Sequence, residues 1–276
     1  MIVRLWIFSI FLISCYSNLK ISQVEQEGWQ LIWSDEFNDA GLPDSTKWSY
    51  DIGDACDKPA GCGWGNNELQ YYTEKREKNA RVEDGKLIIE THAEDYKSRA
   101  FTSARLVTKG KGDWKYGKFV TRAKLPAGKG VWSAIWMLST DRMYGGWPRS
   151  GEIDIIENVG FNPERVVGTI HTAKYNHMKG THRNGDLQLA DAQQEFHDYI
   201  LEWNEEEMIW FVDDVEIFRY PNESTGYEAW PFDQRFHLIL NIAYGGNWGG
   251  RQGIAPEALP ARMEVDYVRV YQTAED

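Results

Sequence analysis

Three carboxylates stand close together in residues 150–158, where Glu152, Asp154 and Glu157 are set among β-branched residues. A run of this composition is typical of a β-strand rather than a helix. Because successive side chains of a strand alternate between faces, Glu152 and Asp154 share one face, whereas Glu157 would point to the other. A β-bulge within residues 155–156 would return Glu157 to the face of its partners, and bulges are over-represented beside active sites. We therefore predict a bulged strand that presents all three acids on one face and buries isoleucines on the other.

The chemistry of such a cluster is acid–base and nucleophilic catalysis. Three like charges on one sheet face repel each other and resist desolvation, so the stability of the fold does not select them. Retaining glycosidases use two carboxyl groups about 5–5.5 Å apart, one as nucleophile and one as acid/base. Two glutamates flanking a shorter aspartate have the reach to approach this spacing, and the aspartate can hydrogen-bond the nucleophile and influence which carboxyl holds the proton. A solvated acidic strand face or part of a calcium site is the alternative interpretation.

The acidic run is similar to the bulged active-site signature of glycoside hydrolase family sixteen, in its laminarinase-like branch. Further segments resemble laminarinase segments and occur in the expected order, namely residues 33–37, 63–73, 132–137, 147–148 and 266–271. The resemblance covers nearly the whole chain after residue 27. It implies that Glu152 is the nucleophile, Asp154 its assistant and Glu157 the general acid/base.

The resemblance also implies a fold and a substrate. The fold is an all-β jelly-roll sandwich of two curved antiparallel sheets, with a substrate cleft across the concave one. The implied reaction is retaining endo-hydrolysis of a β-1,3-glucan of the laminarin type, with no cofactor for catalysis. Mixed-linkage β-1,3-1,4-glucan and galactans such as agar or carrageenan remain alternative substrates, and glycosyl transfer to a sugar remains an alternative outcome. A surface protein that binds glycan without cutting it is a candidate from another class, although noncatalytic relatives lose the acidic pair that this chain keeps.

Tryptophans precede the acidic strand in the sequence. Trp132 and Trp136 are four residues apart and share one strand face if that strand has no bulge, so each could offer a ring to a bound sugar. The alternative is that one of them packs into the core, and the laminarinase likeness favours substrate contact for both. Trp147 stands in a glycine-containing loop and is predicted to line the cleft or to support the acidic strand.

Two polar residues are also placed near the acids by the resemblance. His171 lies where related laminarinases have an active-site histidine, which could donate to a sugar hydroxyl or to a catalytic carboxyl. Arg105 resembles a cleft residue, with a surface ion pair as the alternative interpretation.

Two loops supply further candidate substrate contacts. Asn67, together with Glu68 and Gln70, is suited to hydroxyl recognition, unless this polar loop only satisfies its own backbone. The glycine-rich residues 241–250 could bring Trp248 to the cleft rim. This loop lacks the Lys-Ser/Thr and the following helix of a P-loop, so we reject nucleotide binding.

Metal binding is expected only as a structural feature. Glu36, the Gly85 carbonyl and Asp266 match positions where related enzymes hold calcium on the convex side, through the oxygen ligands that this cation prefers. His177 and His182 are near each other in the sequence, but the Glu or third His expected of a catalytic zinc centre is not evident there.

The elements that must hold these residues are short strands separated by turn signals. The β-rich runs are residues 86–91, 117–123, 131–138, 166–171, 196–203, 208–212, 215–218, 237–243 and 263–271. Residues 212–215 predict a tight hairpin connection. Helical periodicity is nearly absent, apart from single turns expected around residues 46–48 and 231–234. Many short strands with regular turns indicate a sandwich or jelly roll.

Composition limits the partners. The chain of 276 residues has 42 acidic and 30 basic side chains, giving a formal charge of −12. This balance argues against nucleic acid or an anionic membrane surface as partner and is compatible with a neutral polysaccharide. We expect a monomer.

The N-terminal residues predict export. Residues 1–14 contain one basic residue followed by an apolar run too short to span a bilayer, which is typical of a signal peptide. Residues 12–15 resemble a bacterial lipobox, so we expect lipidation of Cys15, a tether over residues 15–27 and a catalytic domain over residues 28–273. Ordinary signal cleavage near residues 14–17 is the alternative. Either interpretation predicts an extracytoplasmic protein, as an outer-membrane or cell-surface lipoprotein or as a secreted enzyme, with membrane contact only through the lipid.

The other two cysteines, Cys56 and Cys62, are six residues apart in a loop that contains Pro and Gly. This spacing is compatible with a local disulfide in an oxidising compartment and does not match a zinc site. Two free thiols are the alternative.

Overall fold

The computed structural model describes residues 28–59 and 61–274. The predicted signal peptide and tether, with Cys15, lie outside the described residues. The described chain consists of 18 β-strands and three short 3-10 turns, at Cys62–Gly65, His177–Lys179 and Pro256–Ala258. Within these ranges no helix has the length and apolar character needed to cross a membrane.

The strands are numbered in chain order. They are β1 (Gln30–Asp35), β2 (Ser49–Tyr50), β3 (Tyr71–Tyr72), β4 (Ala80–Glu83), β5 (Lys86–Tyr96), β6 (Arg99–Ser103), β7 (Arg105–Val107), β8 (Asp113–Trp114), β9 (Gly117–Lys124), β10 (Val131–Ser139), β11 (Glu152–Val159), β12 (Asn162–His171), β13 (Arg183–Gln188), β14 (His197–Trp203), β15 (Glu207–Val212), β16 (Val215–Pro221), β17 (Phe236–Tyr244) and β18 (Ala261–Gln272).

Two sheets form the molecule, as predicted for a jelly-roll sandwich. The ten-stranded sheet has the order β16-β15-β14-β9-β18-β5-β6-β3, with β1 paired to β18 and β4 to β5. The eight-stranded sheet has the order β13-β12-β11-β10-β17-β7-β2, with β8 paired to β17. The pairings between these strands are antiparallel except that of β3 with β6. The acidic strand β11 is therefore hydrogen-bonded on both edges, by β10 and β12.

The hydrophobic core lies between the two sheets. Ile135 and Ile153 from the smaller sheet and Leu201 and Val268 from the larger sheet are all fully buried in one cluster. Burial of side chains of this size stabilises the fold by about 1.5–3 kcal/mol each. Because Ile153 points into this core, the alternating neighbours of Ile153 in β11 must face the other side of the sheet.

The local predictions hold for strands better than for helical turns. Each β-rich run corresponds to a strand, and β15 and β16 are joined through residues 213–214, as the hairpin signal predicts. The single turn expected around residues 46–48 is present, since the N–H of Trp48 donates to the carbonyl of Asp44 at 2.9 Å, whereas the turn expected around residues 231–234 is wrong, since only a bend occurs there. The 3-10 turns occur elsewhere, and such short pieces carry little of the periodicity that identifies a longer helix.

Candidate active site

The acidic strand contains the predicted β-bulge. Asp154 pairs with Trp136 of β10, whereas Ile156 pairs with Ile135, so that Ile155 is the extra residue. The pairing of β11 with β12 shifts by one residue in the same place. Both isoleucines are buried, although the sequence required only one of them to face the core.

The bulge brings the three acids to one face of the sheet. Residues directly opposite each other in an antiparallel pair project to the same side. In β10 the partners of Glu152, Asp154 and Glu157 are residues 138, 136 and 134. These partners alternate without interruption, because the register of β10 against β17 is continuous. The three acids therefore face the same side, and the two glutamates flank the aspartate.

The bulge is supported from inside the protein. The indole N–H of Trp210, on β15 of the other sheet, donates to the backbone carbonyl of Asp154 at 2.9 Å. The ring of Trp210 lies against Gly168 of β12, where a Cβ atom would come within 2.7 Å of it. A larger residue at position 168 would thus displace the donor that satisfies a carbonyl at the bulge. Trp210 thus fixes the backbone at the bulge, between the second and third acids, from 56 residues away.

His171 lies beside the first two acids, Glu152 and Asp154. It pairs with Glu152 across β11 and β12. Its Nε2 lies 3.7 Å from Oε1 of Glu152 and 3.5 Å from Oδ2 of Asp154. The pKa of His171 is lowered to about 3, first by burial and then by the nearby His177 and His182. His171 is therefore neutral near pH 7, and its contacts with the carboxyl groups are not ion pairs.

Burial raises the pKa of all three acids. The pKa of Glu152 rises to about 8 through burial first and then the charge of Glu157, against hydrogen bonding from Trp147. Burial likewise raises the pKa of Glu157 to about 7. The pKa of Asp154 is raised well above its ordinary value by burial and by both glutamates. Near pH 7 the cluster therefore keeps at least one proton, and because its members titrate as a coupled set, one glutamate can be ionised while the other holds that proton.

Trp132 lies beside Glu157, and Trp248 packs against Trp132. The indole N–H of Trp132 donates to Oε1 of Glu157 at 2.9 Å, and this bond favours the ionised carboxylate. The rings of Trp132 and Trp248 meet edge to face, with centroids 5.5 Å apart. Both tryptophans are half-buried, so part of each ring faces solvent beside the acid.

Trp136 and Arg105 form the neighbouring wall. Trp136 is half-buried on the same face as Trp132, because β10 has no bulge against β17. The guanidinium carbon of Arg105 lies 4.6 Å from the ring centroids of both Trp64 and Trp136. Arg105 also pairs with Asp51 at 3.1 Å, but it is only 7% exposed and is therefore not a residue of a surface ion pair.

A buried polar chain supports this wall. The indole N–H of Trp136 donates to Asn241 at 2.7 Å, Asn241 donates to the hydroxyl of Tyr72 at 3.0 Å, and Tyr72 donates to Glu68 at 3.2 Å. Gln70 adds a bond to Glu68 at 2.7 Å. Glu68 and Gln70, predicted as hydroxyl contacts, are thus buried and occupied by neighbouring side chains.

Trp147 and Asn67 lie on exposed loops. Trp147 is 40% exposed, its indole donates to Glu152, and its ring centroid lies 6.1 Å from that of His171. It therefore both lines the surface and supports the first acid. The amide of Asn67 donates to Asn247 at 2.8 Å, which joins the two predicted substrate-binding loops.

The predicted calcium ligands lie on the other sheet. Asp266 occupies the point in β18 where the register against β9 shifts. Both carboxylate oxygens of Glu36 accept from Arg269, at 2.9 and 2.7 Å, and Gly85 lies in the turn between β4 and β5. Two carboxylates and a backbone carbonyl suit an oxygen-preferring cation in their chemistry, although Glu36 would have to exchange bonds with Arg269.

A disulfide joins Cys56, in the preceding loop, to Cys62, the first residue of the 3-10 turn that contains Trp64. A separate hollow of about 420 Å³, lined by Tyr116, Trp230 and Asp233 among others, contains none of the predicted site residues.

The buried residues that support the acidic strand and Trp136 were not identified from the sequence. Trp210 has the pattern of a core residue, and Tyr72 and Asn241 are separated by 169 positions. The polar residues of the segment around Tyr72 were the only indication of a buried network there.

Known proteins resemble this chain in sequence and structure. Residues 67–269 match the model for glycosyl hydrolases family 16. A β-glucanase of Rhodothermus marinus is 56% identical over 254 residues, which cover 90% of this chain and 86% of that protein. The X-ray structure of the laminarinase from Rhodothermus marinus matches with a TM-score of 0.85 and 55% identity, covering 89% of this chain and 98% of that chain.

A complex provides a third comparison. It is a mutant of SCLam, a non-specific endo-β-1,3(4)-glucanase of family GH16, with 1,3-β-D-cellobiosyl-glucose at its active site. It matches with a TM-score of 0.83 and 45% identity, covering 89% of this chain and 95% of that chain. The jelly-roll fold, the bulged acidic strand and the family match over most of the chain agree, and we conclude that the chain belongs to glycosyl hydrolases family 16.

Proposed function

We propose that this glycoside hydrolase is a retaining endo-β-1,3-glucanase that cleaves laminarin-type polysaccharides. The observation that carries the proposal is the bulge in β11, which places Glu152, Asp154 and Glu157 on one face. The names of the β-glucanase and laminarinase relatives support the substrate class. We expect the enzyme to act as a monomer.

The proposed mechanism has two steps. Glu152 attacks the anomeric carbon while Glu157 donates its proton to the leaving glycosidic oxygen, which gives a glycosyl-enzyme ester on Glu152. Glu157 then removes a proton from water, which attacks the ester and releases a product with the original configuration. Asp154 lies between the glutamates, where it can hydrogen-bond Glu152 as the charge on that carboxylate changes. No metal or cofactor takes part in these steps.

Product analysis tests this proposal. Purified protein incubated with laminarin should release oligosaccharides of several lengths from the start, and NMR should show the β-anomer first. An α-anomer as the first product would contradict the two-step mechanism. Inactivity on laminarin alone would contradict the proposed substrate.

Mixed-linkage β-1,3-1,4-glucan is a second candidate substrate. The structural relative with the bound oligosaccharide is named as non-specific for β-1,3(4)-glucan, which supports broader specificity. The formal charge of −12 argues against sulfated galactans, which would favour a basic cleft. Initial rates on laminarin, lichenan, agarose and carrageenan separate these substrates, and a higher kcat/KM on lichenan would move the assignment to the mixed-linkage glucan.

The Trp132→Phe substitution should move the alkaline limb of the pH–kcat/KM profile upward by about one pH unit. The bond from Trp132 stabilises the ionised form of Glu157, so its removal raises the pKa of the proposed acid, which then keeps its proton to higher pH. The measurement is laminarin hydrolysis between pH 4 and pH 10. Trp136→Phe is the matched control, because its indole donates to Asn241 instead of an acid. Alkaline limbs at the same pH in Trp132→Phe and Trp136→Phe would contradict the prediction.

We also propose a structural calcium ion held by Glu36, the carbonyl of Gly85 and Asp266. Its support is the choice of oxygen donors and the bulge at Asp266. Transfer into EGTA should lower the midpoint of thermal unfolding, and calcium at 100 times its Kd should stabilise the fold by about 2.7 kcal/mol. Asp266→Asn should remove most of this response. Equal unfolding curves of the unchanged protein in EGTA and in calcium would contradict the site.

We further propose an extracytoplasmic location, with Cys15 as the lipid anchor. The Cys56–Cys62 disulfide supports an oxidising compartment. Expression in a bacterial host with labelled palmitate should label the unchanged chain and leave Cys15→Ser unlabelled. Absence of label from both would exclude the lipid anchor.

A further inference from the structure

Glu152, Asp154 and His171 have the geometry of a metal site. One ligand atom from each residue lies within 4.8 Å of the others. The Nε2 atom of His171 is 3.7 Å from Oε1 of Glu152 and 3.5 Å from Oδ2 of Asp154. Carboxylate oxygens and imidazole nitrogens at 2.0–2.2 Å are ordinary zinc ligands, so tetrahedral ligand atoms stand roughly 3.3 Å apart. Movements of a few tenths of an ångström would bring His171 and each carboxylate oxygen to that spacing, and the two carboxylate oxygens could need somewhat more.

A second observation points to a cation here. Oδ2 of Asp154 is buried and has no hydrogen-bond partner among the described residues, and the Asp154 side chain is only 4% exposed. This same oxygen is the one that faces Nε2 of His171. A buried carboxylate oxygen left without a donor is costly, and an ion between it and the histidine would satisfy it.

Two exposed histidines stand beside this group. The ring centroids of His177 and His182 lie 5.1 and 5.8 Å from that of His171. In the sequence these two histidines lack the third histidine of a zinc centre, and the fold brings His171 beside both of them. They offer initial capture of a metal ion at the edge of the site.

We propose that Zn²⁺ binds Glu152, Asp154 and His171 and reversibly inhibits the enzyme. Three protein ligands would leave one coordination position for water. Such an ion is not a catalytic one, because it occupies the carboxylate that must attack the sugar. The inhibitory effect rests on the proposed function, whereas the binding of zinc does not.

Isothermal titration of the full chain with ZnCl2, in a buffer that does not chelate metals, tests the binding. One ion per chain is expected in the unchanged protein. His171→Ala and Glu152→Gln should each weaken the affinity at least tenfold, and Glu152→Gln retains the shape of the side chain if His171→Ala fails to fold. His182→Ala is the matched control and should change the affinity less than threefold. Binding lost only when His177 and His182 are replaced would overturn the proposal, as would no binding at 1 mM zinc.

Kinetics test the inhibition separately. Zinc should raise the KM for laminarin with little change in kcat, and EDTA added with excess calcium should reverse this effect. Lower kcat at unchanged KM would contradict binding at the nucleophile. If zinc binds as described but no polysaccharide is hydrolysed, the proposed function fails while the metal site stands. If laminarin is hydrolysed and zinc does not bind, only the metal site fails.

Discussion

Glu152→Gln should lower kcat on laminarin by roughly 10⁴-fold or more, because the amide cannot form the glycosyl-enzyme ester. Binding of laminarin oligosaccharides should persist, since the tryptophans and Arg105 beside the acids are unchanged. The measurements are initial rates of reducing-sugar release and an equilibrium titration with a β-1,3-linked oligosaccharide. Hydrolysis within tenfold of the unchanged enzyme would remove Glu152 from the role of nucleophile.

Chemical rescue distinguishes the nucleophile from a residue that only supports it. In Glu152→Ala, azide can occupy the vacated space and attack an aryl β-glucoside directly, so the product should be the α-glycosyl azide. A positioning residue would not be replaced by azide in this way. Trp147→Phe is the control, because it removes the hydrogen bond to Glu152 and leaves the nucleophile. It should retain activity and form no azide product.

The Glu152→Gln substitution should also stabilise the protein at alkaline pH. The pKa of Glu152 is raised from 4.5 to about 8 in the folded protein, so the folded state binds more protons than the unfolded state between these values. The stabilisation that Glu152 contributes is thus fully present below pH 4.5 and is lost as the pH rises through 8. Glu152→Gln removes this loss, and the difference between these two pKa values predicts a gain of about 4 kcal/mol at pH 8 and little difference at pH 4.

Urea unfolding at the two pH values measures this effect. The exposed Glu195 provides a matched Glu195→Gln control for the change from a carboxyl to an amide. The measured quantity is the difference in unfolding free energy between Glu152→Gln and the unchanged protein. If this difference favours the variant less at pH 8 than at pH 4, the raised pKa is contradicted. The expected gain means that the carboxyl group of Glu152 lowers the free energy of unfolding at alkaline pH, which is a cost of the active site.

The acids could be predicted from the sequence because their geometry is local. A strand alternates faces, and the spacing from Glu152 to Glu157 is odd, so a single extra residue is the simplest way to bring them together. The bulge appears at the expected residues. The strands are likewise predicted by short-range pattern, whereas only one of the two expected helical turns is present, because three or four residues do not establish a period.

The support of the site could not be predicted because it depends on the packing of one sheet against the other. Trp210 contacts the carbonyl of Asp154 across the core, and its sequence neighbours only indicate a buried strand. Arg105 was considered either a cleft residue or a surface residue, and its position between two aromatic rings depends on three separate strands and loops. Pairings of this kind become visible only when the register of the sheet is known.

Glu157→Ala should lose activity in proportion to how much the leaving group needs a proton. On laminarin, whose leaving oxygen is a sugar alkoxide, kcat/KM should fall roughly 10³-fold. A dinitrophenyl β-glucoside releases dinitrophenolate, which departs without protonation. Formation of the glycosyl-enzyme from this substrate should therefore be nearly unaffected. Hydrolysis of the glycosyl-enzyme should then be slow, because the general base is also missing. A burst of dinitrophenol equal to the enzyme concentration is therefore expected in a stopped-flow experiment.

Azide and pH then separate Glu157 from Glu152. Azide should accelerate the second step in Glu157→Ala and give the β-glycosyl azide, because it attacks the ester on Glu152 from the opposite face. The anomer is therefore the reverse of the one expected from Glu152→Ala. Since burial raises the pKa of Glu157 to about 7, the unchanged enzyme should lose kcat/KM as the pH rises above that region, and the variant should lose this limb. An α-glycosyl azide from Glu157→Ala, or an alkaline limb that survives the substitution, would show that the proton comes from another residue.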